Sequence, residues 1–393
     1  MKILFAGLAS PGFIAPLIGA ARALRAHGHE IACATDRSLE RLLHYAGVRR
    51  IPRGSADGAS FTVPNWFDVD AASMQVLHLE YALRIFRPDA LVTSQNCLGA
   101  AVIAAKHSLP LIVIGSVVLL FPTVTELRAS VRTAHDERRR DRLESMIRYL
   151  NPVRARFGLP PVAPDDAGAL LGDRYLVQGI PELQRERDFA ATCGFAGGDL
   201  LRDVPRPLAE DDAEWIDRQR ARRRCILYVS VGRVFHHVSY ASILLEWARA
   251  RDVAVILDAA RCEAPPDERS EIVRRCDGLN HNDLLPHVDG VVCGGHPTAV
   301  IGAINYRRPL AICHTGSGTD DIGEACGAFG LAASVAADSA PREAFFAAFD
   351  RVLDDPMLRA RSVAAADAFA RIDSAARVVD AVGALSMRQA RSA

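Results

Sequence analysis

The sequence predicts an α/β protein made of two halves, each a parallel sheet wrapped by helices. Three observations predict it. Between Lys2 and Pro52, short apolar runs alternate with helical spacing in a β-α-β-α-β series, the pattern of a doubly wound sheet. A Pro-rich, charged stretch, Asp203 to Asp212, reads as a linker. A second alternating series then begins at Cys225. The 393 residues suit about two domains. The expected division is 1–202, a linker over 203–214, a second domain over 215–373, and a C-terminal helix over 374–393 packing back toward the first domain.

In chain order, Lys2 to Leu8 is a buried first strand and Ala9 to Gly12 a turn. Ile14 to His27 has apolar residues at helical spacing, and Gly28 ends that helix. Glu30 to Thr35 is a strand, Ser38 to Ala46 a helix and Val48 to Pro52 a short strand. Gly54 to Asp70 is loop-rich, and its Asn65-Trp66-Phe67 either contacts a ligand or pins the loop to the core. Ser73 to Phe86 is a helix, Ala90 to Thr93 a strand, Leu98 to His107 a helix and Leu109 to Gly115 a strand. Val124 to Leu150 reads as one long helix whose run Asp136 to Arg140 forms a solvated face. Asn151 to Pro161 closes it with Gly and Pro stops. Arg174 to Gly179 and Phe195 to Gly198 are strands. In the second half, Cys225 to Val231, Val253 to Leu257, Gly290 to Cys293 and Leu310 to Cys313 are strands. Ser239 to Arg249, the stretch after His296, and Ile322 to Ala328 are helices. Three helices end the chain, Arg342 to Leu353, Pro356 to Phe369 and Ser374 to Leu385.

Composition excludes several functions. Hydrophobic residues are 50% and charged residues 24%, ordinary for a globular protein. Lys+Arg (47) balances Asp+Glu (47), so no basic excess points to nucleic acid or an anionic membrane. Nine cysteines lack C-x-x-C pairs, which predicts reduced thiols and no zinc or other metal site. The strand at Lys2 leaves no leader, and the longest apolar run, Leu111 to Phe121, is shorter than the ~18 residues of a membrane span. The expected location is the cytoplasm.

Asp289 to Pro309 carries the most chemistry. A short strand ends at Cys293, Gly294 and Gly295 turn the chain, and His296-Pro297 opens a helix. Proline suits the first helical turn. Unpaired backbone N–H groups and the positive dipole end then point at one spot, which suits a phosphate. The same pattern also serves as a plain strand–turn–helix junction. In the first half, Gln95 and Asn96 end a parallel strand, where such sheets bind ligands. Asn96 equally fits a cap or turn role. The first loop is not G-x-G-x-x-G, so no dinucleotide fingerprint is present.

Several segments together resemble the family 1 nucleotide-sugar glycosyltransferases of the GT-B fold, especially the bacterial natural-product enzymes. They are S-P-G-F-I-A-P-L from Ser10, A-R-A-L-R-A-H-G-H-E-I from Ala21, R-P-D-A-L-V-T-S from Arg87, A-A-K-H-S-L-P from Ala104, N-P-V-R-A-R-F-G-L-P-P from Asn151, Y-V-S-V-G-R from Tyr228 and N-D-L-L-P-H-V-D-G-V-V-C-G-G-H-P-T from Asn282. The resemblance implies two Rossmann-like domains facing a cleft. It also implies metal-independent, inverting transfer of a sugar from a nucleoside diphosphate bound by the second domain to a small-molecule acceptor bound by the first. No cofactor is expected, and the partners are the nucleotide sugar and the acceptor, in a monomer or homodimer. The donor residues implied are Ser230, Gly232, Arg233, His281, Gly294, Gly295, His296, Pro297, Thr298, Ser317, Thr319, Asp320 and Asp321. The acceptor residues are Gly12, Phe13, Trp66, Gln95 and Asn96.

The sequence departs from the family where the chemistry concentrates. The family's donor loop commonly reads His-x-Gly-x-x-x-Thr. A small gap puts His296 and Thr298 at the phosphate contacts, and an ungapped match puts Gly294 in place of the histidine. Arg233 stands where Thr is usual and suits a diphosphate or a carboxylate on the sugar. Asp320 and Asp321 stand in for a sugar-reading acid–Gln pair. Phe13 or Ile14 and Ser94 occupy the positions of the family's usual base and its acidic partner, so no catalytic residue is assigned. Three readings follow. The first is an enzyme whose acceptor needs no such base, such as a nucleobase nitrogen taking a sugar from UDP-glucuronate, as in cytosylglucuronic acid synthases. The second is a natural-product enzyme with a base from elsewhere, such as His78. The third is an inactive GT-B relative that binds a ligand or partner.

Overall fold

A computed structural model of the chain describes residues 1–53, 59–62, 67–129, 133–184, 189–201, 208–231, 240–258, 270–276, 281–316 and 318–392. The chain divides into two compact units, Met1–Leu200 with Ile372–Ala393, and Leu201–Arg371.

The first unit contains β1 (Lys2–Ala6), α1 (Pro11–Ala26), β2 (Glu30–Ala34), α2 (Glu40–Tyr45), β3 (Arg49–Arg50), α3 (Val69–Phe86), β4 (Ala90–Ser94), α4 (Leu98–His107), β5 (Leu111–Ile114), α5 (Val124–Arg128), α6 (Ala134–Arg156), α7 (Gly168–Leu171), β6 (Arg174–Val177) and β7 (Cys193–Phe195). Its seven strands run in the order β3-β2-β1-β4-β5-β6-β7, and all pairs are parallel. Parallel sheets are buried on both faces, so their strands read as unbroken apolar runs. Here Leu4, Leu91, Val113 and Tyr175 join the core under α3, α4 and α6. Ile3, Phe5, Val92 and Ile112 join the core of α1.

The second unit contains α8 (Glu210–Ala221), β8 (Ile226–Ser230), α9 (Tyr240–Arg251), β9 (Ala254–Asp258), β10 (Val273–Cys276), α10 (His281–Leu284), β11 (Gly290–Cys293), α11 (Pro297–Asn305), β12 (Leu310–His314), α12 (Thr319–Ala328), β13 (Ala332–Ala336), α13 (Arg342–Asp354) and α14 (Pro356–Ala370). Its six strands run β10-β9-β8-β11-β12-β13, again all parallel. The last helix, α15 (Ser374–Ser392), belongs to the first unit. Its Val378, Val382 and Leu385 enter the core of α1, and the Ser374 hydroxyl accepts from the Asp199 N–H at 3.1 Å.

Four expectations are corrected. α8 begins at Glu210, inside the stretch read as linker, because an acidic first turn (Glu210, Asp211, Asp212) suits a helix start. Val124–Leu150 is not one helix. The chain leaves α5 at Ala129 and re-enters a helix at Thr133, whose side chain and Asp136 cap each other's N–H groups. α6 then runs through Pro152 to Arg156. The charge run is not a solvated face either. Arg139 is 1% exposed. It donates to Glu126 at 2.6 Å and to the Phe121 carbonyl, while Arg142 donates to the Leu120 carbonyl at 2.7 Å. These arginines satisfy carbonyls of the irregular 120–126 segment, which lacks a strand partner for them. Lastly, α12 begins at Thr319, so Thr319, Asp320 and Asp321 form a helical first turn rather than a loop.

Arg139→Ala leaves the Glu126 carboxylate buried without its counter-charge. It should lower the unfolding free energy by about 3–5 kcal/mol. Urea denaturation checks this, and a loss below about 1 kcal/mol would contradict the buried pair's role.

Candidate active site

In the second unit, the turn after β11 and the start of α12 are in contact. Gly295 has φ +85°, a conformation that favours glycine. A Cβ added to it would lie 3.1 Å from Thr319 Cβ and 3.2 Å from Ile312. The bare backbone therefore lets the starts of α11 and α12 sit side by side. Cys293 Sγ accepts from the Gly295 N–H at 3.4 Å, and burial pushes its thiol up to about 12, so it stays protonated. His296 is the N-cap of α11 without capping through its side chain, and Pro297 is its first residue. The imidazole folds back over the turn, its Nε2 3.2 Å from where a Gly294 Cβ would be. His296, Pro297 and Thr298 are partly exposed, while Gly294 and Gly295 are buried.

The two helix starts differ in charge. α11 has no acidic residue in its first turn. The N–H groups of Thr298 and Ala299 have no intrahelical acceptor, as at any helix start. α12 carries Asp320 and Asp321 in its first turn. Asp320 Oδ1 accepts from His314 Nδ1 at 2.6 Å and from the Gly316 N–H at 2.8 Å. Thr319 Oγ1 donates to the Gly316 carbonyl at 2.6 Å. An anion is therefore favoured at α11 and opposed at α12. Asp320 is not a freely presented carboxylate, because His314 at the end of β12 holds one of its oxygens. His314 was missed in the sequence. Gly323 makes room for its ring, since a Cβ added there would lie 2.5 Å from the imidazole.

The other donor candidates have structural partners. The Ser230 carbonyl accepts from Gly294 N–H at 3.2 Å and from the Tyr240 hydroxyl at 3.1 Å, which ties β8 to the turn. His281 Nε2 lies 3.0 Å from the Tyr228 hydroxyl, which donates to Asp258 at 3.3 Å. Burial, then the Asp258 charge, holds the Tyr228 phenol well above its ordinary pKa. His281 and its fully buried tyrosine thus form a fixed group at the carboxyl ends of β8 and β9.

In the first unit, Gly12 and Phe13 lie in the first turn of α1. Gly12 faces open space, and Phe13 packs against the α3–α4–α6 core. Gln95 is 7% exposed, and its Oε1 accepts from the Tyr175 hydroxyl at 2.9 Å. Asn96 has φ +71°. It is a turn residue, and Cys97 takes the N-cap of α4. At the ends of β4, β5 and β6, Ser94 Oγ, Ser116 Oγ and Gln178 Oε1 are buried with no hydrogen-bond partner among the described residues. His78 Nε2 donates to the Ile51 carbonyl at 2.8 Å, and its ring meets Phe61 edge-on. That nitrogen keeps its proton, so the expectation of His78 as a base fails at Nε2. Phe67 stacks on Tyr149 at 5.5 Å, pinning its loop. Trp66, Gly232, Arg233 and Ser317 lie outside the described residues. Among the described residues no His/Cys/Asp/Glu group could hold a metal. No helix of these residues is long and apolar enough to cross a membrane.

No protein-family model matches the chain. It is 22% identical to the 4'-demethylrebeccamycin synthase of Lentzea aerocolonigenes, over 98% of this chain and 99% of the relative. The glycotransferase of kitacinnamycin superposes with TM-score 0.75 at 19% identity, covering 97% of this chain and 98% of the other. Glycosyltransferase SsfS6 of Streptomyces sp. SF2575, solved with thymidine diphosphate, superposes with TM-score 0.63 at 18% identity, covering 96% and 98%. The chain has the two-domain, parallel-sheet GT-B fold of these glycosyltransferases. Both sheets keep the parallel order of that fold. The carboxyl edge of the second sheet keeps a helix start free of acid.

Gly295→Ala forces a side chain into left-handed backbone and against Thr319. It should destabilise the protein by about 1–3 kcal/mol. A chemical denaturation midpoint unchanged from the parent would contradict the close approach.

Proposed function

We propose that the enzyme moves a sugar from a nucleoside diphosphate to a small-molecule acceptor in antibiotic biosynthesis, by a metal-independent single displacement that inverts the anomeric carbon. One observation carries this reading: the α11 start, open at Thr298 and free of carboxylates, beside the glycine turn under His296. The likeness to a structure solved with thymidine diphosphate supports a nucleotide ligand.

The acceptor's lone pair forms a bond to the anomeric carbon while the bond from that carbon to the diphosphate oxygen breaks. The electron pair leaves with the diphosphate, which gains charge as it departs. The Thr298 and Ala299 N–H groups, the Thr298 hydroxyl and the helix dipole are set before the reaction, so they stabilise that charge without reorganising. A single preorganised donor of this kind contributes about 2.7–4 kcal/mol.

The first unit supports an acceptor that needs no strong base. Phe13 packs into the core, Ser94 is a buried hydroxyl, and His78 Nε2 is held by Ile51. A ring nitrogen of a nucleobase, glycosylated from UDP-glucuronate, fits these facts, because the new bond acidifies the nitrogen's proton, which passes to water while the ring delocalises the charge. The same absences favour a second reading, an inactive relative that only binds ligand.

A melting-temperature screen against UDP, TDP, GDP and UDP-glucuronate tests the donor site, and turnover separates the two readings. A working donor site gives a selective rise, worth about 2.7 kcal/mol at a hundredfold excess over Kd. UDP release from UDP-glucuronate with cytosine would establish turnover. His296→Ala and Thr298→Val should each weaken nucleotide binding by on the order of 10-fold. A well-folded protein that shifts with no nucleotide would overturn the transferase reading.

A further inference from the structure

We propose that Tyr175 is a positioning residue that locks the Gln95 amide with its NH2 end toward the acceptor, so that the site selects acceptors bearing a carbonyl oxygen or an unprotonated ring nitrogen. This rests on the glycosyltransferase reading above and names the acceptor chemistry within it.

Tyr175 lies in β6 and has no exposed surface. Its ring meets Phe121 edge-on at 6.5 Å, which fixes its direction. Its O–H donates to Gln95 Oε1 at 2.9 Å. Gly115 leaves the space for this, because a Cβ there would lie 2.3 Å from the hydroxyl. A glutamine amide can present either end, and the network around it decides which. The buried phenol proton needs an acceptor, and among the described residues Gln95 Oε1 is the one that supplies it. A flipped amide would leave that proton buried and unpaired. The Gln95 oxygen is thereby consumed. Its Nε2 has no partner among the described residues, and the residue keeps 7% exposure at the carboxyl edge of the sheet. Two N–H donors at the end of β4 therefore face whatever binds there, where parallel sheets place their ligands. A site built to donate to an acceptor atom discriminates strongly against analogues that lack it.

The test uses the full chain with cytosine, uracil and 2-pyridone as probes, measured by calorimetry with and without UDP. The parent should bind at least one of them. Tyr175→Phe and Gln95→Ala should each weaken that binding by roughly 10-fold, with UDP affinity within error of the parent. The double variant should lose no more than Gln95→Ala alone, because Tyr175 acts through Gln95. Gln95→Glu keeps an oxygen for the Tyr175 proton but replaces the donor with a second acceptor, and should weaken the same probes. The proposal is overturned if none of the probes binds a parent that binds UDP, or if Tyr175→Phe loses its full factor in the Gln95→Ala background. Failure of the glycosyltransferase reading shows differently, as a parent that binds no nucleotide.

Discussion

The second sheet's site depends on one close approach, that of Gly295 to Thr319. Parallel crossovers deliver every helix start to the carboxyl edge of a sheet, but side chains normally keep neighbouring starts apart. Glycine at φ +85° removes that spacing and sets α11 against α12. The two starts then divide the electrostatics. α12 binds its own carboxylate, with Asp320 held by His314 and the Gly316 N–H. α11 keeps its dipole and first-turn N–H groups for an outside anion. Without Asp320, α12 would compete for the same anion a few ångströms away.

The first unit solves a different problem. Its strand ends bury hydroxyls and amides that the sheet cannot pair, such as Ser94, Ser116 and Gln178. Unpaired buried polar groups lower stability, so they persist where a ligand can complete them. Around them the chain is rigid. Arg139, Arg142 and the capping pair Thr123–Glu126 fix the irregular segment after β5, and Tyr175 fixes Gln95. In the proposed function these groups position a small planar acceptor rather than abstract a hydroxyl proton.

The central strands were legible because burial on both faces leaves a plain apolar signal, as in K-I-L-F-A and G-V-V-C. The edge strands of the second sheet were not. β10 reads V-R-R-C and β13 reads A-A-S-V-A, with charges and small residues that an edge tolerates and a periodicity search passes over. The break between α5 and α6 was hidden because Thr133 and Asp136 look like two more polar residues in a charged run. Arg139 looked solvated for the same reason, since its partners, the Glu126 carboxylate and the Phe121 carbonyl, lie 13 and 18 positions earlier. The glycine turn and Pro297 were legible because each residue has a backbone meaning. The roles of His314 and Tyr175 were not, because each is defined by a partner that only the fold brings near.

The central claim is that the donor's diphosphate sits on the start of α11 and not on that of α12. Backbone amide chemical shifts, followed by NMR while UDP or TDP is added, test it most directly. The account predicts the largest shifts at Thr298 and Ala299, with Asp320 and Asp321 moving little. Shifts concentrated at Asp320 and Asp321, with Thr298 and Ala299 unmoved, would contradict it.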